Sequence, residues 1–192
     1  MKNVIAFMIL AALALLPFFG LSSYVMHIAI LVVMWSVIGM AWNLLSGYCG
    51  QVSFGHAAFF GVGAYTAGML YSKLGISGWW GFPASVFVVA VFALGIGYIC
   101  LRLRGPYFAL ATLAMGVIFR IVAENLVDVT GGDLGIMLRE RTWIDKTWYF
   151  YIILTVAAAS YYLVRKVIES KLGYYFVAIR EDQDAAESLG IN

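Results

Sequence analysis

Long apolar runs separated by short polar breaks set the pattern of this 192-residue chain. An α-helix rises 1.5 Å per residue and the hydrocarbon core of a bilayer is about 30 Å thick, so roughly 20 apolar residues make one crossing. Six stretches are candidates: 4–19, which is short, then 24–45, 52–70, 79–101, 107–127 and 148–164. A membrane β-strand would alternate apolar and polar positions over about ten residues, whereas these runs are continuous. A helix also satisfies its own backbone hydrogen bonds where water is absent. The pattern predicts an all-α fold, a polytopic transmembrane helix bundle of about six membrane segments. Residues 1–164 form its membrane domain and 165–192 a cytoplasmic segment.

Charge placement orients this bundle. Arg165, Lys166 and Lys171 follow the last run, and Arg102 and Arg104 follow the fourth, which puts both places in the cytoplasm by the positive-inside rule. Alternation then leaves Lys2 and the 46–51 turn inside, with 21–23, Lys73 and the 128–147 loop outside. The N-terminus is thus expected in the cytoplasm. Lys73 is a mild exception, and the long loop mixes acids with Arg139, Arg141 and Lys146. Lys2 before a short apolar stretch also fits a secretory signal peptide, although no small-x-small cleavage site stands out before Ser23. Trp79, Trp80, Trp143, Trp148 and Tyr149 lie near expected outer ends, as an aromatic belt would.

Composition strengthens the membrane assignment. Hydrophobic residues make up 64% and charged ones 11%, where a soluble domain carries about 25% charged. Between Asn3 and Leu101 the only charged side chain is Lys73. A net charge of +2 with scattered basic residues offers no nucleic-acid patch. Cys49 and Cys100 fall near cytoplasmic ends of runs, where reduced packing thiols are expected. No Cys/His cluster has ligand spacing, so neither a metal nor another cofactor is expected.

The 52–70 run differs from the rest. Residues 82–101 hold eleven Leu, Ile, Val or Phe side chains, worth about −3 to −6 kcal/mol on the insertion scale. Residues 54–70 hold five, with His56 set against them, worth about −1.5 to −3 kcal/mol on that scale. Lipid alone holds such a helix weakly, so protein neighbours are expected. Ala57, Gly61, Ala64 and Gly68 share one helical face, a smooth stripe for a close-packed helix, with or without a share in the substrate path. Gln51, Ser53 and His56 stand at the entry to this helix, and Asn43 near the end of the preceding one. Polar side chains at membrane depth are candidates for a substrate path, as is Thr112; hydrogen bonding to a neighbouring helix is the structural alternative. Arg120 and Glu124, four apart, can face each other as an ion pair or at an external gate.

The run from Asn43 through Ser46, Gly47, Tyr48, Cys49, Gly50, Gln51, Ser53, Gly55 and His56 to Gly61 resembles permease subunits of branched-chain amino-acid ABC transporters. Likeness returns at 102–113, at Thr130-Gly131-Gly132, and at 178–182 and 185–192. ABC permeases of this type carry a cytoplasmic Glu-Ala-Ala, three residues, then Gly, as a helix seated in a groove of the ATPase subunit. Asp184, Ala185, Ala186 and Gly190 match that spacing with Asp for Glu. The resemblance implies a high-affinity importer of Leu, Ile or Val in the inner membrane. Its implied partners are ATPase subunits, a second permease, a periplasmic substrate-binding protein and membrane lipid. Urea or amides are alternative cargoes in similar permeases. Family permeases continue through further helices beyond the loop that ends this sequence, so the resemblance also implies truncation, with a non-transporting assembly role as the alternative. No G-x-x-x-x-G-K-[ST], G-x-S-x-G or H-E-x-x-H motif occurs, so no enzyme activity is expected and ATP would bind another subunit.

Overall fold

The computed structural model describes residues 2–137 and 145–191. Every regular element among the described residues is helical. In chain order, α1 (Lys2–Leu15) leads into a 3₁₀ turn (Leu16–Phe19), and α2 (Ser23–Trp42) runs directly into a π-helical segment (Asn43–Tyr48). Next come α3 (His56–Leu74), α4 (Gly78–Cys100), α5 (Pro106–Asn125) and the single turn α6 (Val127–Thr130). After a 3₁₀ turn (Gly132–Leu134), α7 (Lys146–Ile168), α8 (Lys171–Glu181) and α9 (Gln183–Ser188) complete the chain. A helix therefore stands at each of the six expected stretches. Four spans, Ser23–Tyr48, Gly78–Cys100, Pro106–Asn125 and Lys146–Ile168, are long and apolar enough to cross a membrane. The 14 residues of α1 rise only about 21 Å, and its 3₁₀ extension adds about 8 Å. Arg139, Arg141 and Trp143 lie outside the described residues.

The third helix starts four residues later than its apolar run, at His56 rather than Val52. Gly50 takes φ 74°, a left-handed turn that breaks the helical path. Side-chain hydroxyls then hold the backbone N–H groups of Phe54 and Gly55 outside a helix. The other end moves as well, to Leu74, where Gly75 at φ 63° caps the helix.

Two compact units divide the chain, one of Met1–Gly50 with Thr142–Asn192 and the other of Gln51–Arg141. In the first, Met26 and Val33 of α2 interlock with Phe150, Leu154 and Ala157 of α7, and Leu10, Leu13 and Ala14 of α1 pack against them. Phe150 is fully enclosed. The Lys146 ammonium donates to Ser23 O at 3.0 Å and to Ser23 Oγ at 2.6 Å, so α2 and α7 start together and run parallel. Tyr151 Oη donates to Ala14 O at 3.2 Å, which brings the end of α1 to the same level.

In the second unit α4 lies against α3 through glycines. A methyl at Gly63 would sit 3.4 Å from Val89 Cγ2, and one at Gly81 would sit 3.7 Å from Ala67 Cα. This contact is antiparallel, since the start of α4 meets the end of α3. The Phe92 and Phe119 rings, 4.7 Å apart, join α4 to α5. The Lys73 ammonium donates to the Asp128 carbonyl, so α3 and the α5–α6 corner end together. At that corner Thr130 Oγ1 lies 2.5 Å from Ala123 O and 2.8 Å from Leu126 O, and it accepts from Gly132 N–H at 3.2 Å. Gly131 at φ 81° has no room for a side chain, because a Cβ would strike the Gly135 carbonyl. Outside these contacts, large apolar side chains such as Leu94 (76% exposed) and Phe87 (70%) stand open, as lipid-facing residues do.

Candidate functional site

The second unit gives the polar entry to α3 a definite shape. Phe54 N–H donates to Thr112 Oγ1 at 3.1 Å, and the same hydroxyl donates to Ala109 O at 3.0 Å. Ser53 Oγ accepts from Gly55 N–H at 3.2 Å. Ser53 and Thr112 are buried at 3% and 5% exposure. Both hydroxyls therefore serve the backbone of residues 53–55. Gly55 lets α5 approach, since a Cβ there would lie 3.5 Å from Thr112 Cβ. Gln51 and His56 flank this segment with Oε1 and Nδ1 buried. The structure thus brings Gln51, Ser53, His56 and Thr112 into one neighbourhood.

Asn43 belongs to the other unit, at the first position of the π-helical segment. That segment ends with Cys49 N–H donating five residues back to Leu44 O at 3.3 Å. A side chain at Gly47 would collide with Asn43 Oδ1. Burial pushes the Cys49 thiol above its ordinary pKa; its thiolate is disfavoured at neutral pH.

The small-residue stripe on α3 is not the face that α4 uses. A methyl at Gly61 would meet nothing within 4 Å, Ala57 and Ala64 are exposed, and Gly68 faces Ile136. The contact face instead carries Gly63 and Ala67. The two faces differ because Gly61 and Gly63 stand about 200° apart around the helix. Small residues occur on both, so the sequence alone did not choose between them.

After α7 the chain turns sharply into α8. Ser170 Oγ accepts from Leu172 N–H at 3.2 Å and donates to Val167 O at 2.7 Å. Gly173 is required at this corner, where a Cβ would strike the Ile168 carbonyl. Asp182 then caps α9 by accepting from Asp184 and Ala185 N–H, both at 3.0 Å. Ala186 turns inward at 3% exposure, while Asp184, Ala185 and Leu189 face outward. Gly190 at φ 81° stops the helix, its N–H donating to Glu187 O at 2.9 Å. The spacing Asp184, Ala185, Ala186, Gly190 thus divides into an outward pair, an inward packing residue and a left-handed stop.

Arg120 and Glu124 are paired, Nε to Oε1 at 2.7 Å, with the Arg120 side chain 80% exposed. Arg102 lies over the Tyr98 ring at 4.2 Å from its centroid, a cation–π contact. Sequence reading missed Arg180, whose guanidinium reaches the Gly47 carbonyl. Its place in the 178–182 motif was the available signal.

Residues 24–192 match a family model described as branched-chain amino acid transport system / permease component. The chain is 28% identical over 203 residues to the high-affinity branched-chain amino acid transport system permease protein LivM of Escherichia coli (strain K12), covering 91% of this chain and 48% of that protein. It is 28% identical over 220 residues to LivM of Salmonella typhimurium (strain LT2), covering 100% of this chain and 52% of that one. The chain spans about half the length of these curated relatives. No solved structure gives a significant match.

Proposed function

Since the chain belongs to the branched-chain amino-acid transport permease family, we propose that it is a multi-pass inner-membrane subunit of an ATP-driven importer that passes Leu, Ile or Val. Its partners in this reading are two ATPase subunits, a second permease and a periplasmic binding protein. The observation that carries the coupling is α9, a capped helix with Asp184 and Ala185 outward and a glycine stop at φ 81°. Such a short exposed helix, locked at both ends, can seat in a groove of a motor subunit and move as a unit.

Helix directions within each unit support the alternation of successive spans, and the placement of Arg102, Arg104, Arg165 and Lys166 puts the N-terminus in the cytoplasm in this reading. Alternation requires α2 and α7 to run in the same sense, and the Lys146–Ser23 contacts have them do so. Alternation also requires α3 and α5 to end on one side, as the Lys73–Asp128 bond does. That bond gives Lys73 a carbonyl partner at the external end, which accounts for a cation on the outer side. Residues 51–56 line the substrate path in this proposal, with Gln51 and His56 as its polar groups. Ser53 and Thr112 hold the segment in shape.

The test is uptake of labelled leucine by cells expressing this chain with its ATPase, second permease and binding protein, with urea and an amide as competing cargoes. Binding-protein-dependent leucine uptake is expected, and Gly190→Pro is expected to abolish it, because proline fixes φ near −65° and lacks the N–H that Glu187 O accepts. Uptake of urea alone would reassign the cargo. Retained uptake in Gly190→Pro would remove the coupling role of α9.

A further inference from the structure

Within the first unit, the end of α8 meets the π-helical segment that continues α2 and the turn after it. Arg180 Nη1 donates to Gly47 O at 3.3 Å, inside the π-helical segment 43–48. Glu181 Oε1 holds the same guanidinium by Nη2 at 2.6 Å and Nε at 3.2 Å. Gly50 packs against the Arg180 stem and backbone, where a Cβ would lie 2.7 Å from Cγ and 3.2 Å from Cα. Gly50 also needs its hydrogen side chain for φ 74°. Two glycines thus admit one arginine, one through its carbonyl and the other through its missing side chain.

Both bodies joined by this contact have a defined mechanical character. Helix α8 is fixed to α7 by Gly173 against Ile168 and by the Ser170 cap. It is fixed to α9 by the Asp182 cap and the buried Ala186. The receiving segment is less regular: π-helical turns are rare, sit at a higher energy than α-helix and recur at functional sites. Gly50 is joined directly to Gln51, the first residue of the polar segment ahead of α3. A displacement of α9 carried by α8 would therefore arrive at residues 43–50.

We propose that Arg180 is the positioning residue that links the ATPase-docking helix α9 to the π-helical segment 43–48, so that movement of the motor reshapes the backbone leading to Gln51. This rests on the assignment of α9 as the docking helix. Arg180 in this role touches neither ATPase nor substrate. Its removal separates ATP hydrolysis from transport while leaving the complex assembled.

The experiment uses the assembled transporter in proteoliposomes, with wild type, Arg180→Ala, Arg180→Lys and Gly50→Ala. Arg180→Ala is expected to copurify with the ATPase at the wild-type level and to lose about tenfold in ATP-driven uptake, the size of one charge-assisted hydrogen bond. Hydrogen exchange over 43–50 should rise in that variant and stay unchanged over 108–112. Arg180→Lys, which keeps a donor on a flexible stem, should recover part of the uptake. Gly50→Ala should copy Arg180→Ala, because its methyl expels the arginine stem. Wild-type uptake in Arg180→Ala overturns the inference, and so does loss of ATPase copurification, which would make Arg180 a docking residue. If the wild-type chain itself captures no ATPase, the docking assignment fails first and this inference falls with it.

Discussion

At Thr112 one hydroxyl ties the 53–55 segment to α5, because it accepts from Phe54 N–H while donating to its own helix at Ala109. Replacing it with valine keeps the volume and leaves that part-buried N–H without its hydroxyl acceptor. Thr112→Val is expected to lower stability by about 0.5–1.5 kcal/mol, read as an earlier thermal transition in detergent, while Thr112→Ser keeps the bond and most of the stability. An unchanged transition in Thr112→Val would mean that the 53–55 segment is held elsewhere. Cys49 gives a pH test on the same scale. Its raised pKa means that the reactive thiolate forms only at a higher pH than in an ordinary cysteine. Maleimide labelling of Cys49 in the folded chain should therefore begin at higher pH than in the unfolded chain, which titrates near about 8.5; coincident profiles would show that the thiol is not desolvated. Neither the Thr112 bond nor the Cys49 environment was legible beforehand, since each depends on residues brought close by the fold.

Helix α3 shows what an apolar pattern can and cannot reveal. Its deficit in large apolar residues was readable, and the need for protein neighbours followed from it. Its start was not readable, because Val52 and Phe54 are apolar yet lie outside the helix. Hydropathy reports burial in lipid, whereas the break comes from Gly50 and two hydroxyl bonds. The face it packs on was likewise hidden, because glycine and alanine recur on both sides. Two leucine substitutions separate those faces. Gly63→Leu would drive atoms into Val89 and should destabilise the chain itself. Gly61→Leu meets open space, so the isolated chain should keep its thermal transition while pull-down of the second permease declines. Equal loss of stability in both variants would show that the Gly61 face is already covered within this chain.

Inside the first unit α2 and α7 run in one sense, and inside the second α3 and α5 end together, as alternation of successive spans expects. That much was readable because consecutive apolar runs joined by polar breaks must alternate in direction across a bilayer, whatever the details of packing. The division into two units was hidden for the opposite reason. It depends on α7 returning to α2, and no local pattern in residues 146–168 names that partner. The C-terminal segment was legible as a motif, from Asp184 to Gly190, but the motif did not say which alanine faces out. Geometry assigns Ala185 to the surface and Ala186 to the contact with the rest of the unit.

That assignment makes the central claim directly measurable. Ala185→Cys and Ala186→Cys, each in a background without Cys49 and Cys100, can be tested in membrane vesicles for crosslinking to the copurifying ATPase. The account predicts a strong crosslink from position 185, little from 186, and labelling of 185 only from the cytoplasmic side. Failure of position 185 to crosslink, or its labelling from the periplasmic side, would contradict a permease driven through α9.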